Sequence, residues 1–416
     1  MINQLLPMKQ PMKRYFPWKI YLLLVLLAML ALSLQGCLGI GNTSSNNNQS
    51  FKSVNTGNGQ TLQVNTGNQA LFKGNIYFTQ GHVLLALDGS RNIRALTPGK
   101  EFVCDPSVSP DGKTVAFIVR YKYSSDLVEM PVNGTHWQIL RTGTGQYKPN
   151  PPYPAPISTH KWYFQPSWED NTHLLFLSDF EKLTVNPGVD SQLLDLQVFS
   201  ISKNNPGSAQ EVAYAAYGDG GDRDPIYRPQ HKNQVVYTHY TYDTSRTQQV
   251  IQLFMTDSNA IVNHPNAGYH PGVGESDPAV ALTPASTSVQ NLMPNFAPDG
   301  NHLAYIRRID ASHMGLYVMP IADNITGVPI TSAERNSALQ PYAKSSLIVE
   351  GQYISQPVWS PDGTQIAYMS YNNSEFDIWL ANVSIDAKTG AFRLKGSPVP
   401  LTSGGVDAGS RPAWTN

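Results

Sequence analysis

The sequence predicts an all-β protein, a six-bladed β-propeller closed by pairing of the C-terminal strand with the N-terminal blade. Three observations carry this. A motif built on Pro-x-aromatic-x-Pro-Asp-Gly recurs along the chain at intervals of 55 to 69 residues, longer than the roughly 40–50 of common propeller repeats, and such self-similarity marks a repeat architecture. The composition is rich in turn formers and rings, with Gly 32, Pro 31, Tyr 21, Phe 14 and Trp 7 in 416 residues. Charged residues are 14% of the chain, well below the roughly 25% of an average soluble protein. Short apolar runs rich in β-branched and aromatic residues separate the turns, which excludes a helical bundle and a disordered chain.

The chain begins with an address. Ile20 to Leu34 is an uninterrupted apolar run behind Lys9, Lys13, Arg14 and Lys19. It is shorter than the roughly 20 residues a transmembrane helix needs and fits the apolar core of a secretory signal. Residues 1–36 are therefore expected to be removed. The run ends in Leu34-Gln35-Gly36-Cys37, which resembles the bacterial lipoprotein lipobox. That resemblance implies a lipidated Cys37 as the mature N-terminus and an extracytoplasmic, membrane-anchored protein. Residues 37–74 are uncharged over long stretches and rich in Asn, Gly, Ser and Thr. Such a composition predicts a disordered tether.

Charge excludes nucleic acid as a partner. The formal net charge is −1, and losing the four leader cations leaves 25 positive against 30 negative residues, whereas nucleic-acid binding calls for a basic face. Apart from Cys37 the only cysteine is Cys104. No internal disulfide can form, so Cys104 is expected to pack in the core.

From residue 75 onward the repeat takes over. The full copies start at Asp105-Pro-Ser-Val-Ser-Pro-Asp-Gly112, Met293-Pro-Asn-Phe-Ala-Pro-Asp-Gly300 and Gln356-Pro-Val-Trp-Ser-Pro-Asp-Gly363. Degenerate copies start at Gln165-Pro-Ser-Trp168 and Asp224-Pro-Ile-Tyr227, and Arg411-Pro-Ala-Trp414 is truncated by the chain end. Each part has a mechanical reason. Proline is tolerated at a strand start, where its missing N–H costs least. Pro-Asp-Gly then makes a tight turn: Pro presets φ, Asp caps the backbone and Gly takes a positive φ. The apolar run after the turn is a buried second strand, and third and fourth strands follow. The copies predict blades at 103–143, 164–215, 222–284, 290–332 and 354–403. The sixth blade joins 75–98, which lacks a first strand, to 411–415, which has nothing after it. Closure of that kind leaves no long free edge.

This unit resembles the WD40-like repeat of the TolB-like propeller family, over residues 75–416. The resemblance implies the fold and, through it, protein contacts at the cell envelope; the extra N-terminal α/β domain of TolB has no counterpart in the tether. Some propellers of this family degrade uronic-acid polysaccharides with a histidine-held metal, and no histidine cluster recurs at equivalent positions here.

Motifs for chemistry are scarce. The sequence holds no Gly-x-Ser-x-Gly, His-Glu-x-x-His, Cys-x-x-Cys or Walker loop, so no catalytic residue, cofactor or metal is expected. His264 and His270 read as solvated loop residues. Asp219, Asp222 and Asp224 could supply oxygen ligands for Ca²⁺, but an ordinary turn is the better reading. The Pro-rich Lys148–Ile157 reads as a stiff connector.

Position offers one further hint. The residue before each repeat proline should sit near the mouth of the central channel. These are Asp105, Gln165, Asp224, Met293, Gln356 and Arg411. The five polar ones, Asp105, Gln165, Asp224, Gln356 and Arg411, are the expected ligand-binding residues, since convergent polar groups in a concave mouth are a common binding arrangement. On this reading Arg411→Ala weakens binding and leaves stability within about 1 kcal/mol. The function expected is a non-enzymatic, monomeric lipoprotein scaffold that binds an envelope protein or peptide. The alternative is a carbohydrate-binding or polysaccharide-degrading propeller.

Overall fold

The computed structural model describes residues 50–57, 59–134, 136–147, 157–179, 195–216, 218–260, 271–272, 277–310, 312–322 and 330–416. The apolar run at 20–34, Cys37, His264, His270 and nearly all of 148–157 lie outside them. Among the described residues no helix is long and apolar enough to cross a membrane.

The protein is all-β; among the described residues six antiparallel meander sheets stand beside a three-stranded sheet and the two-stranded pair Thr144–Tyr147 and Ile157–His160. The second sheet is Phe102–Val108, Thr114–Arg120, Ser125–Pro131 and Gln138–Arg141; the third is Tyr163–Trp168, His173–Ser178, Gln197–Ser202 and Asn205–Ala213. The fourth is Asp222–Tyr227, Gln234–Tyr242, Gln249–Asp257 and Val280–Ala281, and the fifth Gln290–Phe296, His302–Arg308, Met314–Pro320 and Ser346–Gly351. The sixth is Ile354–Trp359, Gln365–Asn372 and Glu375–Ile385, whose long last strand pairs with both Phe392–Leu394 and Val399–Pro400. The first sheet joins the two ends of the chain: Ala413–Thr415 pairs with Asn75–Gln80, followed by Val83–Asp88 and Ile93–Ala95.

The Pro-Asp-Gly turns work as their chemistry requires. Gly112, Gly300 and Gly363 have φ of 70°, 67° and 69°, and each donates its N–H to the residue three back, Ser109, Ala297 and Ser360. In the third sheet Asp170 takes over: its Oδ1 accepts from the N–H groups of Thr172 and His173.

Apolar clusters sit between consecutive sheets. Tyr77, Leu84, Val103 and Phe117 bridge the first and second sheets, and Ile118, Leu127, Phe176 and Phe199 the second and third. Leu177, Val198, Val235 and Tyr237 bridge the third and fourth, and Leu253, Met255, Leu303 and Tyr305 the fourth and fifth. Ile306, Leu316, Ile366 and Tyr368 bridge the fifth and sixth, and Leu380, Met369, Ile76 and Phe78 the sixth and first. The first strands follow the same cyclic order, each against the next, with Ala413–Thr415 touching both Ile354–Trp359 and Phe102–Val108. Cys104 is buried as expected, and burial pushes its thiol well above the ordinary range.

Three expectations are corrected. The tether reading of 37–74 fails over its second half. Phe51–Gly57 and Gln60–Asn65 form a hairpin, and the latter pairs with Thr402–Ser403. Leu62 and Val64 alternate into the core beside Leu380 and Leu401, and Phe72 meets Trp414 edge-on at 5.8 Å. The unit expected at 290–332 does not end at 332. A helix, Ser332–Leu339, with a capping box between Thr331 and Glu334, leads to the fourth strand at Ser346–Gly351. Thr402–Ser403, expected as the fourth strand of the unit at 354–403, serves the N-terminal hairpin instead.

Candidate functional site

Five of the six residues before a repeat proline sit at a kink. Asp105, Gln165, Asp224, Met293 and Gln356 have φ of 53°, 47°, 53°, 56° and 50°, left-handed values that side chains other than glycine rarely adopt. The register with the second strand slips at every one of them. Each is a β-bulge, which takes one residue out of the ladder and leaves its N–H in need of an acceptor.

Neighbouring repeats supply those acceptors. Asp105 N–H donates to Ser410 Oγ at 2.9 Å, Gln165 N–H to Asp105 Oδ2 at 3.2 Å and Asp224 N–H to Gln165 Oε1 at 2.6 Å. Met293 N–H donates to Thr238 Oγ1, Gln356 N–H to Met293 Sδ and Arg411 N–H to Asp105 Oδ1. Gln165 Nε2 also donates to Asp224 Oδ1 at 2.8 Å. The Arg411 guanidinium donates to the carbonyls of Pro225, Gln165 and Pro166. The five predicted residues are thus brought together, and four of them, Asp105, Asp224, Gln356 and Arg411, are buried. The side chains of Asp105, Gln165, Asp224 and Arg411 bind one repeat to the next, a role that only the contact between sheets reveals, whereas Gln356 joins through its N–H. Burial pushes the Asp105 carboxyl up, opposed by the N–H and charge of Arg411. Burial likewise lowers Arg411, opposed by Asp224 and Asp105.

Beyond this clasp, on the side of the Pro-Asp-Gly turns, opens a cavity of about 770 Å³. All six first strands line it, through pairs such as Ser107-Val108, Ser167-Trp168, Asn295-Phe296 and Ala413-Trp414. Of the five predicted ligand residues only Arg411 reaches it. The large rings Trp168, Tyr227, Phe296, Trp359 and Trp414 are buried in the walls, with Trp168 Nε1 donating to the Ser107 carbonyl at 3.0 Å. Prolines 110, 298 and 361, together with Glu169, Asp170, His231 and Lys232, also line it.

The sequence reading missed one cluster here. Glu169, Asp170 and His173 bring their ligand atoms within 4.8 Å of one another. These atoms are already engaged: Asp170 Oδ2 pairs with His173 Nδ1 at 2.9 Å, and Glu169 Oε1 accepts from Asn233 N–H. The same Asp–His pairing closes the turns at Asp299–His302 and Asp310–His313, so the arrangement is a turn device. The acidic loop behaves similarly. Asp219 pairs with Arg246, Asp222 with His239 and Asp224 with Gln165 and Thr238.

No family model matches the chain and no curated protein matches it. Among solved structures it is similar to TolB from Acinetobacter baumannii, at 13% identity and a TM-score of 0.49, covering 82% of this chain and 66% of that one. An oligogalacturonate lyase in complex with manganese is similar at 11% identity and 0.43, covering 82% and 83%. The β-propeller domain of the trilobed protease from Pyrococcus furiosus is similar at 9% and 0.38, covering 85% and 84%. This chain thus spans about two thirds of the A. baumannii TolB.

Proposed function

We propose that the six sheets are the blades of one propeller ring, closed where the C-terminal strand joins the first sheet, and that this ring is a non-enzymatic binding scaffold. In this reading the protein is lipid-anchored at Cys37 on the extracytoplasmic side of a membrane, and its cavity receives a segment of an envelope protein or a peptide. The cavity carries the proposal. The first strands of all six repeats line it, together with residues of the Pro-Asp-Gly turns, and Arg411 reaches it. The two carboxylates Glu169 and Asp170 in its lining are already engaged, by Asn233 N–H and by Thr172 and His173. Concave sites of this size with a few convergent polar groups are where ligands bind, while the chemistry must be argued from the site and not from the fold.

The test is a pull-down from detergent-solubilised membranes with protein tagged at its C-terminus, with metal analysis of the same sample. Ser107→Trp, which inserts a ring into the cavity, should abolish capture of the partner while the melting temperature holds. Capture unaffected by Ser107→Trp removes the cavity from the reading. Stoichiometric metal with turnover of a polysaccharide replaces the scaffold by the enzyme alternative. Cys37→Ser should release the protein from the membrane fraction, and retention there ends the lipid-anchor reading.

A further inference from the structure

The chain enters its fold on the face of the cavity. The carbonyl of Ser50 accepts from Thr66 N–H and from Thr66 Oγ1, both at 2.7 Å. The next residue's carbonyl, that of Gly67, accepts from the Arg91 guanidinium at 3.3 Å. Arg91 lies in the turn that follows Val83–Asp88, between the third and fourth strands of the first sheet. Strands of a meander alternate in direction, so that turn shares a face with the Pro-Asp-Gly turns between first and second strands. From Gly67 one short turn, Asn68–Ala70, leads to Phe72, edge-on to Trp414, and to Gly74, against the Thr415 carbonyl. Trp414 and Thr415 line the cavity. The other end of the hairpin points away from it: Thr56 Oγ1 donates to Gln80 Oε1 at 2.6 Å, beside the turn into Val83 on the opposite face.

Chain length limits how far this rim can stand from an anchor at Cys37. Ser50 follows Cys37 by thirteen residues, and a chain of that length spans at most about 45 Å when fully extended. The strand Asn75–Gln80 crosses from one face to the other, a rise of about 20 Å. With the opposite face toward the bilayer, nearly half of the greatest reach would be used in running back along the blade. With the cavity toward the bilayer none is used. The cavity lining does not single out an anionic headgroup: Glu169 and Asp170 stand against Arg228 and Lys232, and Arg411 is already countered by Asp224 and Asp105.

We infer, resting on the reading of a lipidated Cys37 and a binding cavity, that the ring hangs with its cavity toward the bilayer. Its occupant is then a polypeptide segment of an integral membrane protein, close to where that protein leaves the same bilayer. Holding both proteins in one membrane makes their encounter effectively intramolecular, at an effective concentration set by the tether. A soluble partner gains nothing from the anchor and must enter a gap of at most about 45 Å between rim and bilayer.

Orientation is read on the full lipidated chain in phosphatidylcholine vesicles that carry a headgroup dye. A fluorophore is placed at Lys113→Cys, beside a Pro-Asp-Gly turn, or at Lys122→Cys, on a turn of the opposite face; both positions are exposed and Cys104 is buried. Energy transfer should be several-fold stronger from the first, and equal or reversed transfer overturns the inference. In native membranes a photo-reactive residue in place of Ser107 should form adducts with an integral membrane protein, in peptides adjoining a membrane-spanning segment. Adducts with lipid alone, with soluble proteins alone or with nothing overturn the occupant. Inserting about twenty Gly and Ser residues after Gly41 keeps anchor and cavity but lengthens the tether. It should cut the adduct yield about fourfold and draw the two transfer signals together, with the melting temperature unchanged. No response to the insertion, while Ser107→Trp still abolishes capture, leaves the cavity reading standing and ends this one. Failure of Cys37→Ser to release the protein, or of Ser107→Trp to block capture, instead removes the anchor or the cavity beneath it.

Discussion

The guanidinium of Arg411 donates a 2.6 Å hydrogen bond to the carbonyl oxygen of Pro166, 245 residues earlier in the chain. The last repeat thereby grips the third sheet, and through Pro225 the fourth. Removing this side chain takes a donor from the buried Pro225 and Pro166 carbonyls and the half-buried Gln165 carbonyl, and leaves Asp224 without its counter-charge. Breaking one side of a buried, charged network costs about 3–5 kcal/mol. Arg411→Ala should therefore lower stability by that order in a urea melt. The change within about 1 kcal/mol expected of an exposed position does not apply to a buried one, and a loss that small would return Arg411 to the role of a ligand-only residue.

The contrast shows what the sequence could disclose. Pro-Asp-Gly is legible because each residue acts on its own backbone, so the turns and the strands flanking them follow from the motif alone. The polar residues before each proline are legible as an equivalent set. Their partners, such as Gln165 N–H for Asp105, belong to a different repeat, and no local pattern records that pairing. The N-terminal hairpin is hidden by composition. Its Asn, Thr and Gly content resembles a linker, yet Leu62 and Val64 alternate across Gln63, the period-2 signal of a half-buried strand.

That hairpin yields a direct test. Leu62 is fully buried, against Leu380, Leu401 and Val406. Truncating a buried leucine costs about 2–5 kcal/mol through lost transfer energy and the cavity left behind. Leu62→Ala should lower the thermal midpoint by several degrees, whereas a residue of a disordered tether would change it hardly at all. An unaltered midpoint would show that residues 51–65 do not pack on the sheets.

The seam between the chain ends can be probed at Gly74. Its φ is 79°, and a Cβ placed there would lie 2.0 Å from the carbonyl oxygen of Thr415. Gly390 has a similar φ of 68° but nothing within 4 Å of its Cβ position. Alanine at either site incurs the left-handed backbone cost of about 1 kcal/mol. Only Gly74→Ala must also displace the C-terminal strand, so it should lose about 2 kcal/mol more. Equal losses at the two sites would mean that Thr415 is not held against Gly74.

Asp377 sets a pH dependence with a defined sign. Its Oδ1 accepts from Thr402 Oγ1 at 3.3 Å and Gly405 N–H at 3.2 Å, yet burial outweighs both and pushes the carboxyl up to about 6. An unfolded aspartate titrates near about 3.9. Between those values the folded protein keeps a proton that the unfolded chain has released. Stability therefore falls as pH rises from about 4 to about 6, and what is lost stays lost above that window. An asparagine side chain at this position would keep an oxygen for both donors without the buried charge. Asp377→Asn should raise stability by on the order of 2 kcal/mol at pH 7.5 and hardly change it at pH 4. Denaturant melts of both proteins across that range measure the difference directly. A gain that does not grow with pH would mean that Asp377 is ionised in the fold at no cost, with the Thr402 and Gly405 donors sufficient to hold its charge.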